Sequence, residues 1–347
     1  MRRHLKIAGS VAGAVLAASV ILAKPALAAD PALIAAAQKE GEVTWYTTLI
    51  IDQVSRPIAE AFQKKYGIKV NYIRADGPEI YLRLFNEAHA GKVQADLFDG
   101  TNGATSLKAQ NLVARWTPDS VKSWPKDYQD PEGYWTAVAL FVMTPSYNTN
   151  LVAAGTQPKT YADLLDPRWQ GKIAWNAEAT ATGAMGFIGM SLSLMGEDKG
   201  RDYLTRLAQQ KIAALEGGAR HTLDQVIAGE YDLALHVQAH NAFISAQKKA
   251  PVAWIPFDPA MVLFLVMNLT QNSPHPNAAK LLADFIASDE GQAIVRNAGY
   301  VPADPAVAPA DPAMRPDGKT FHGRYFTPQE TDAALPKWQS IFAKLFR

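Results

Sequence analysis

The chain has 347 residues, with 34 Lys and Arg against 33 Asp and Glu, a formal net charge of +1, and no cysteine. That charge balance points away from nucleic acid and anionic membrane surfaces as partners. The missing cysteines exclude disulfides, thiolate metal sites and a Cys nucleophile, while the length suffices for an ample core and two domains.

Residues 1–28 read as a secretory signal peptide. Arg2, Arg3 and Lys6 form a basic start, Ile7 to Ala23 an apolar run, and Ala26-Leu27-Ala28 a small-x-small cleavage site. The run is shorter than the roughly 20 residues a bilayer span needs, and Lys24 and Pro25 close it. Removing this segment takes away Arg2, Arg3, Lys6 and Lys24 and no acidic residue, so the net charge of +1 becomes −3. Export of a soluble, monomeric protein to the periplasm is the expectation.

From Asp30 onward, short apolar strands alternate with amphipathic helices. The spacing predicts helix 31–40, strand 43–48, helix 52–66, strand 67–73, helix 78–90, strand 95–100 and helix 104–110. Val54, Ile58, Ala61 and Phe62 share one face at 3.6-residue spacing, and Gly67 is a stop signal. Such alternation argues for βαβ units and a largely parallel sheet, an α/β fold. Residues 135–147 (WTAVALFVMTPSY) are unusually long, apolar and β-rich, and a second α/β series begins at 172–176 (KIAWN). A similar stretch at 260–269 (AMVLFLVMNL) precedes a predicted helix at 276–297. Residues 301–319, rich in Pro, Asp and Ala, read as a surface connection, and helix 328–346 ends the chain. Two buried strands bracketing a middle block suggest a chain that crosses between two domains and returns.

Seven phrases together resemble a known family: 40–48 (EGEVTWYTT), 61–70 (AFQKKYGIKV), 95–100 (ADLFDG), 145–150 (PSYNTN), 160–176 (TYADLLDPRWQGKIAWN), 228–235 (AGEYDLAL) and 288–295 (SDEGQAIV). They are similar to extracellular solute-binding proteins of ABC importers, in the branch with ferric-ion-binding proteins and receptors for small organic anions. The resemblance runs from about residue 35 to residue 300. It implies the two-domain periplasmic-binding-protein fold (type II), with a ligand cleft between domains joined by two crossover strands. The expected division is 29–138 with 262–305 and 139–261 with 306–347. It also implies a small-molecule ligand, an inner-membrane permease as partner, closure of the domains on the ligand, and neither enzymatic chemistry nor a cofactor.

In such a cleft, loops at strand C-terminal ends and helix N-termini meet the ligand. The candidates are Thr47 and Thr48 after the first strand, Gly100, Thr101 and Asn102 after the third, and Thr180, Thr182 and Gly183 in the second half. Taken singly, each also reads as an ordinary cap or turn. Arg220, at the start of a helix over 221–228, suits a carboxylate or phosphonate, or else sits in solvent after the Gly217-Gly218 turn. Arg74 is a second cation at a strand end, with a salt bridge to Asp76 or Glu79 as the alternative. Tyr147, with Trp45, Tyr46, Tyr134 and Trp135, offers stacking or plain core packing, and Asp258 either meets an amine or shapes its turn.

His236 and His240 have the i,i+4 spacing of a zinc-hydrolase helix, yet Val237 stands where that signature needs Glu, and residues 231–237 read as a strand. His236 is therefore expected as a buried wall residue, with His240 and Asn241 facing the cleft. The resemblance places the iron-ligating tyrosine pair of the ferric branch on His240 and Asn241, poor substitutes for Fe³⁺ ligands. An organic anion is thus the expected ligand, ferric iron the alternative and zinc hydrolysis a distant third, with no metal ligands assigned.

Overall fold

The computed structural model describes residues 30–101 and 104–347, so the leader at 1–28 and the candidate Asn102 lie outside the described residues. The first α/β block comprises α1 (Pro31–Glu40), β1 (Glu42–Thr47), α2 (Arg56–Tyr66), β2 (Lys69–Arg74), α3 (Gly77–His89), β3 (Leu97–Gly100), α4 (Ala104–Ala109) and β4 (Val113–Ala114). A long strand, β5 (Thr136–Asn148), leads to the second block. It holds β6 (Ile173–Asn176), α5 (Ala184–Met195), α6 (Glu197–Ala208), β7 (Ala213–Leu215), α7 (Gly218–Ala228), β8 (Leu233–Gln238), α8 (Ala239–Gln247) and β9 (Val252–Trp254). The return strand β10 (Ala260–Thr270) is followed by α9 (Pro276–Ala287), α10 (Asp289–Asn297), β11 (Val301–Pro302), β12 (Gly323–Phe326) and α11 (Pro328–Leu345).

Local chemistry sets several of these limits. Gly67 takes the left-handed conformation (φ 71°) that ends α2, and its N–H closes on the Gln63 carbonyl. Thr327 and Glu330 form a reciprocal capping box that starts α11.

The strands run in the order β2-β1-β3-β10-β5-β8-β6-β7. β1 pairs in parallel with β2 and β3, and β6 in parallel with β7 and β8. Between these parallel blocks stand β10 and β5, antiparallel to each other and to their outer neighbours β3 and β8. Every residue of β10 is buried, and only Tyr147 of β5 is not fully so. Their unbroken apolar runs fit strands covered on both faces. Phe264 stacks between Trp135 and Tyr325, and truncating such a core aromatic costs about 3–5 kcal/mol.

Two expectations change. The helix predicted at 276–297 is two helices, broken at Ser288, whose extended backbone (ψ 164°) and hydroxyl, accepting from Gly291 N–H, start α10 afresh. A Cβ at Gly291 would lie 2.2 Å from the Phe285 carbonyl oxygen, so the small residue permits the sharp turn. The segment 301–319 is not wholly on the surface either. Val301 and Pro302 pair with β5, and Ala303 and Met314 are fully buried, because their apolar side chains complete the central core.

Candidate ligand-binding cleft

A cleft of about 380 Å³ opens where the C-terminal ends of six strands meet. From the first block come Thr48 after β1, Arg74 and Asp76 at the end of β2, and Thr101 after β3. From the second come Glu178, Thr180 and Thr182 after β6, Gly217 to Arg220 after β7, and Gln238, His240 and Asn241 at the end of β8. This is where open α/β sheets bind ligands, because the loops there are free to vary and the helices that follow present their N-terminal N–H groups. The starts of α3, α7 and α8 all lie on the cleft, and none carries a side-chain cap. Their first N–H groups and the positive ends of their dipoles suit an anion.

The charges around the cleft are mixed. Arg74 lies 2.9 Å from the Asp76 carboxylate, and Arg220 bonds Asp224 through Nη2 (2.6 Å) and Nε (3.2 Å) while Nη1 donates to Ser245 Oγ. The Glu178 carboxylate accepts from Gly217 N–H at 3.1 Å. Two guanidinium groups thus share the cleft with three carboxylates, Asp76, Glu178 and Asp224. Both arginine pairs are about half exposed and cheap to rearrange, since exposed ion pairs contribute only about 0–1 kcal/mol.

The first wall is built on Asp99. Its fully buried carboxylate accepts from Trp45 Nε1 (3.0 Å), Thr48 N (2.8 Å) and Thr48 Oγ1 (2.6 Å). Burial raises its pKa, and the Thr47 hydroxyl, the Thr48 hydroxyl and amide and the Trp45 indole pull it back down. The second wall ends in an aromatic floor. His240 stacks on Tyr300 at 4.1 Å between ring centroids, with Phe141 5.0 Å from the imidazole. Burial pushes the His240 pKa down to about 3, and its Nδ1 has no hydrogen-bond partner. Burial likewise raises the Tyr300 phenol, so both rings are neutral at ordinary pH.

Of the residues singled out in the sequence, Thr48, Arg74, Thr101, Thr180, Thr182, Arg220, His240 and Asn241 are brought together on this cleft. The other described candidates are not. Thr47 is fully buried one residue too early, its hydroxyl accepting from Leu49 N–H. Gly100 lies under Tyr81, whose hydroxyl would sit 1.9 Å from an added Cβ, and Gly183 packs against Asn176. Tyr147 stays in β5, opposite Leu233 and Ala253. Asp258 shapes its turn by accepting from His322 N–H at 2.8 Å, away from the cleft lining. Trp45, Tyr46 and Trp135 are core.

Phe141, Tyr300, Asp76 and Glu178 line the cleft without having been singled out there. Glu178 follows β6 two residues before the candidate Thr180 and carried a local signal, a carboxylate after a strand. Tyr300 comes from a distant segment and carried none.

The two histidines diverge. His236 lies inside β8 with φ 66°, at an irregularity where β8 has one residue more than β5, and its ring meets Phe187 edge-on. Burial lowers its pKa to about 3, partly opposed by the Ala181 carbonyl. His240 is on α8, so the pair never shares a helix face. Among the described residues, no group of three or more His, Asp or Glu side chains is placed to hold a metal ion.

The comparisons with known proteins agree with this geometry. Residues 93–323 match the sequence profile of bacterial extracellular solute-binding proteins. A Sinorhizobium fredii protein named as an ABC transporter periplasmic-binding protein is 26% identical over 295 residues, 81% of this chain and 80% of that one. A Salmonella typhimurium protein named for periplasmic 2-aminoethylphosphonate binding is 24% identical over 260 residues, 73% of this chain and 72% of that one. Iron-bound HitA from Pseudomonas aeruginosa superposes with a TM-score of 0.73 at 20% identity, covering 88% of this chain and 99% of that one. The chain therefore belongs to the bacterial extracellular solute-binding protein family, the ligand receptors of ABC transporters, and has the two-domain type II fold of periplasmic binding proteins.

Proposed function

We propose that the protein is exported to the periplasm, captures a small organic anion in this cleft and passes it to an inner-membrane permease. The observation that carries the reading is the convergence of three uncapped helix N-termini with Arg74 and Arg220 on one cleft. A phosphonate, phosphate ester or carboxylate can take several N–H donors there and exchange Asp76 or Asp224 for itself on a guanidinium. The Salmonella relative named for an aminophosphonate adds weight to that chemistry. The domains are assigned as 29–138 with 262–305 and 139–261 with 306–347, closing about β5 and β10.

The ferric-iron alternative is weaker on its donors. Fe³⁺ favours anionic oxygen ligands; among the described residues the cleft carboxylates Asp76, Glu178 and Asp224 are not grouped to hold a metal ion, and the remaining donors are a neutral imidazole, a carboxamide and a phenol whose pKa burial has raised. The test is thermal unfolding of residues 29–347 against phosphonates, phosphate esters, carboxylates, and Fe³⁺ with citrate. A ligand at 100 times its Kd stabilises by about 2.7 kcal/mol. A shift with an organic anion that disappears in Arg220→Ala supports the proposal, and a shift with iron alone overturns it.

A further inference from the structure

The Asp99 carboxylate bears on which end of a ligand the first wall takes. An ionised carboxylate only accepts, and its close partners donate to it: the Trp45 indole N–H, the Thr48 amide and the hydroxyls of Thr48 and Thr47. Two of these are N–H groups that have no other role. No Lys or Arg pairs with Asp99 among the described residues, so neutral donors alone offset a fully buried charge. The consequence falls on Thr48. Its single hydroxyl proton is committed to Asp99 at 2.6 Å, so toward a ligand in the cleft that the residue lines the hydroxyl can only accept. The opposite wall differs: Thr180 and Thr182 share one proton between hydroxyls 2.9 Å apart, which leaves the second proton free to donate.

We infer that Asp99 is a positioning residue that fixes the Thr48 hydroxyl as an acceptor, so that the first wall selects a ligand group able to donate a hydrogen bond. The group is an ammonium or a hydroxyl, carried on the same molecule as the anionic group. An ammonium gains most, because the Asp99 charge, offset only by neutral donors, lies one hydrogen bond behind Thr48. Glu178, a further carboxylate on the cleft, favours the same cation. This inference rests on the organic-anion reading and narrows it.

The experiment compares matched probes that share an anionic end. 2-Aminoethylphosphonate and ethylphosphonate are titrated calorimetrically into the wild-type protein, Thr48→Val and Asp99→Asn. In the wild type the amine-bearing probe binds at least about tenfold more tightly. Thr48→Val, which keeps the size of the side chain, reduces that preference to within about threefold. Asp99→Asn, if it folds, also narrows the preference, because the charge behind Thr48 is gone. Equal binding of both probes by the wild type overturns the inference and leaves the organic-anion reading standing. Binding of neither probe counts against that reading. The ligand-free NMR spectrum then decides for Asp99: the inference requires strongly downfield Thr48 amide and Trp45 indole protons that move upfield in Asp99→Asn. Ordinary shifts in the wild type overturn it.

Discussion

Two buried aspartates, Asp96 just before strand β3 and Asp99 near its C-terminal end, do different work. Asp96, just before the strand, accepts from Thr44 N (2.7 Å), Ser273 Oγ (2.7 Å), His275 N (2.8 Å) and His275 Nδ1 (3.0 Å). It ties β1 to the loop between β10 and α9, far down the chain, at the end of the sheet remote from the ligand. Asp99 holds Trp45 and Thr48, at the end where the cleft opens. The same residue type, three positions apart, thus ties distant segments together at the N-terminal end of a parallel strand and shapes the cleft wall at the C-terminal end. Loops after the strands meet the ligand, whereas loops before them only close the fold.

The sharpest way to break this comparison is Asp96→Ala. It strands several buried donors, at about 1–3 kcal/mol each, so urea unfolding is expected to lose about 3 kcal/mol or more with ligand affinity preserved. A large affinity loss would mean that the two ends are not separate.

Next in size is the acid response of the buried imidazoles. His236 and His240 are held neutral by burial, with pKa values of about 3 against 6.5 for a free histidine. The unfolded chain therefore binds the extra protons, and the stability present above pH 6.5 falls as the pH drops toward 3, by about 1.4 kcal/mol per unit for each ring. Asp284, raised to about 6 by burial, has the opposite sign: its contribution is present at low pH and is lost as the pH rises through 6. In His240→Gln the difference in unfolding free energy between pH 6.5 and 4.5 should shrink by about 2.3 kcal/mol. An unchanged slope would show that His240 is hydrated.

Arg220→Ala should weaken binding of an organic anion by about 2 kcal/mol, the worth of a charge-assisted hydrogen bond, with little change in Tm because its ion pair with Asp224 is exposed. Weakest of all, Lys65→Ala breaks an exposed pair with Glu290, remote from both walls, and should change stability by no more than about 0.5 kcal/mol and affinity not at all.

Periodicity made the alternation of elements legible because it reports which face of each segment is buried. The apolar runs that became β5 and β10 stood out because strands covered on both faces lose the polar alternation. Residue counting failed where one position decides direction. Successive strand side chains point to opposite faces, so Thr47 turns into the protein and Thr48 toward the cleft. The break at Ser288 was hidden because the apolar spacing runs straight through it, and only the cap and the missing Cβ of Gly291 reveal the turn.

The sequence by itself determined the α/β class, the two buried crossing strands, and the loops from which a ligand site is assembled. These are local or periodic properties, written within a few residues of one another. Only the tertiary structure decided that Tyr300 stacks on His240, that Glu178 and Asp224 sit among the arginines, and that Asp99 takes the proton of Thr48. Those contacts join segments about 40 to 60 residues apart or are set by rotamers, and one hydrogen-bond direction depends on every donor around a buried carboxylate at once.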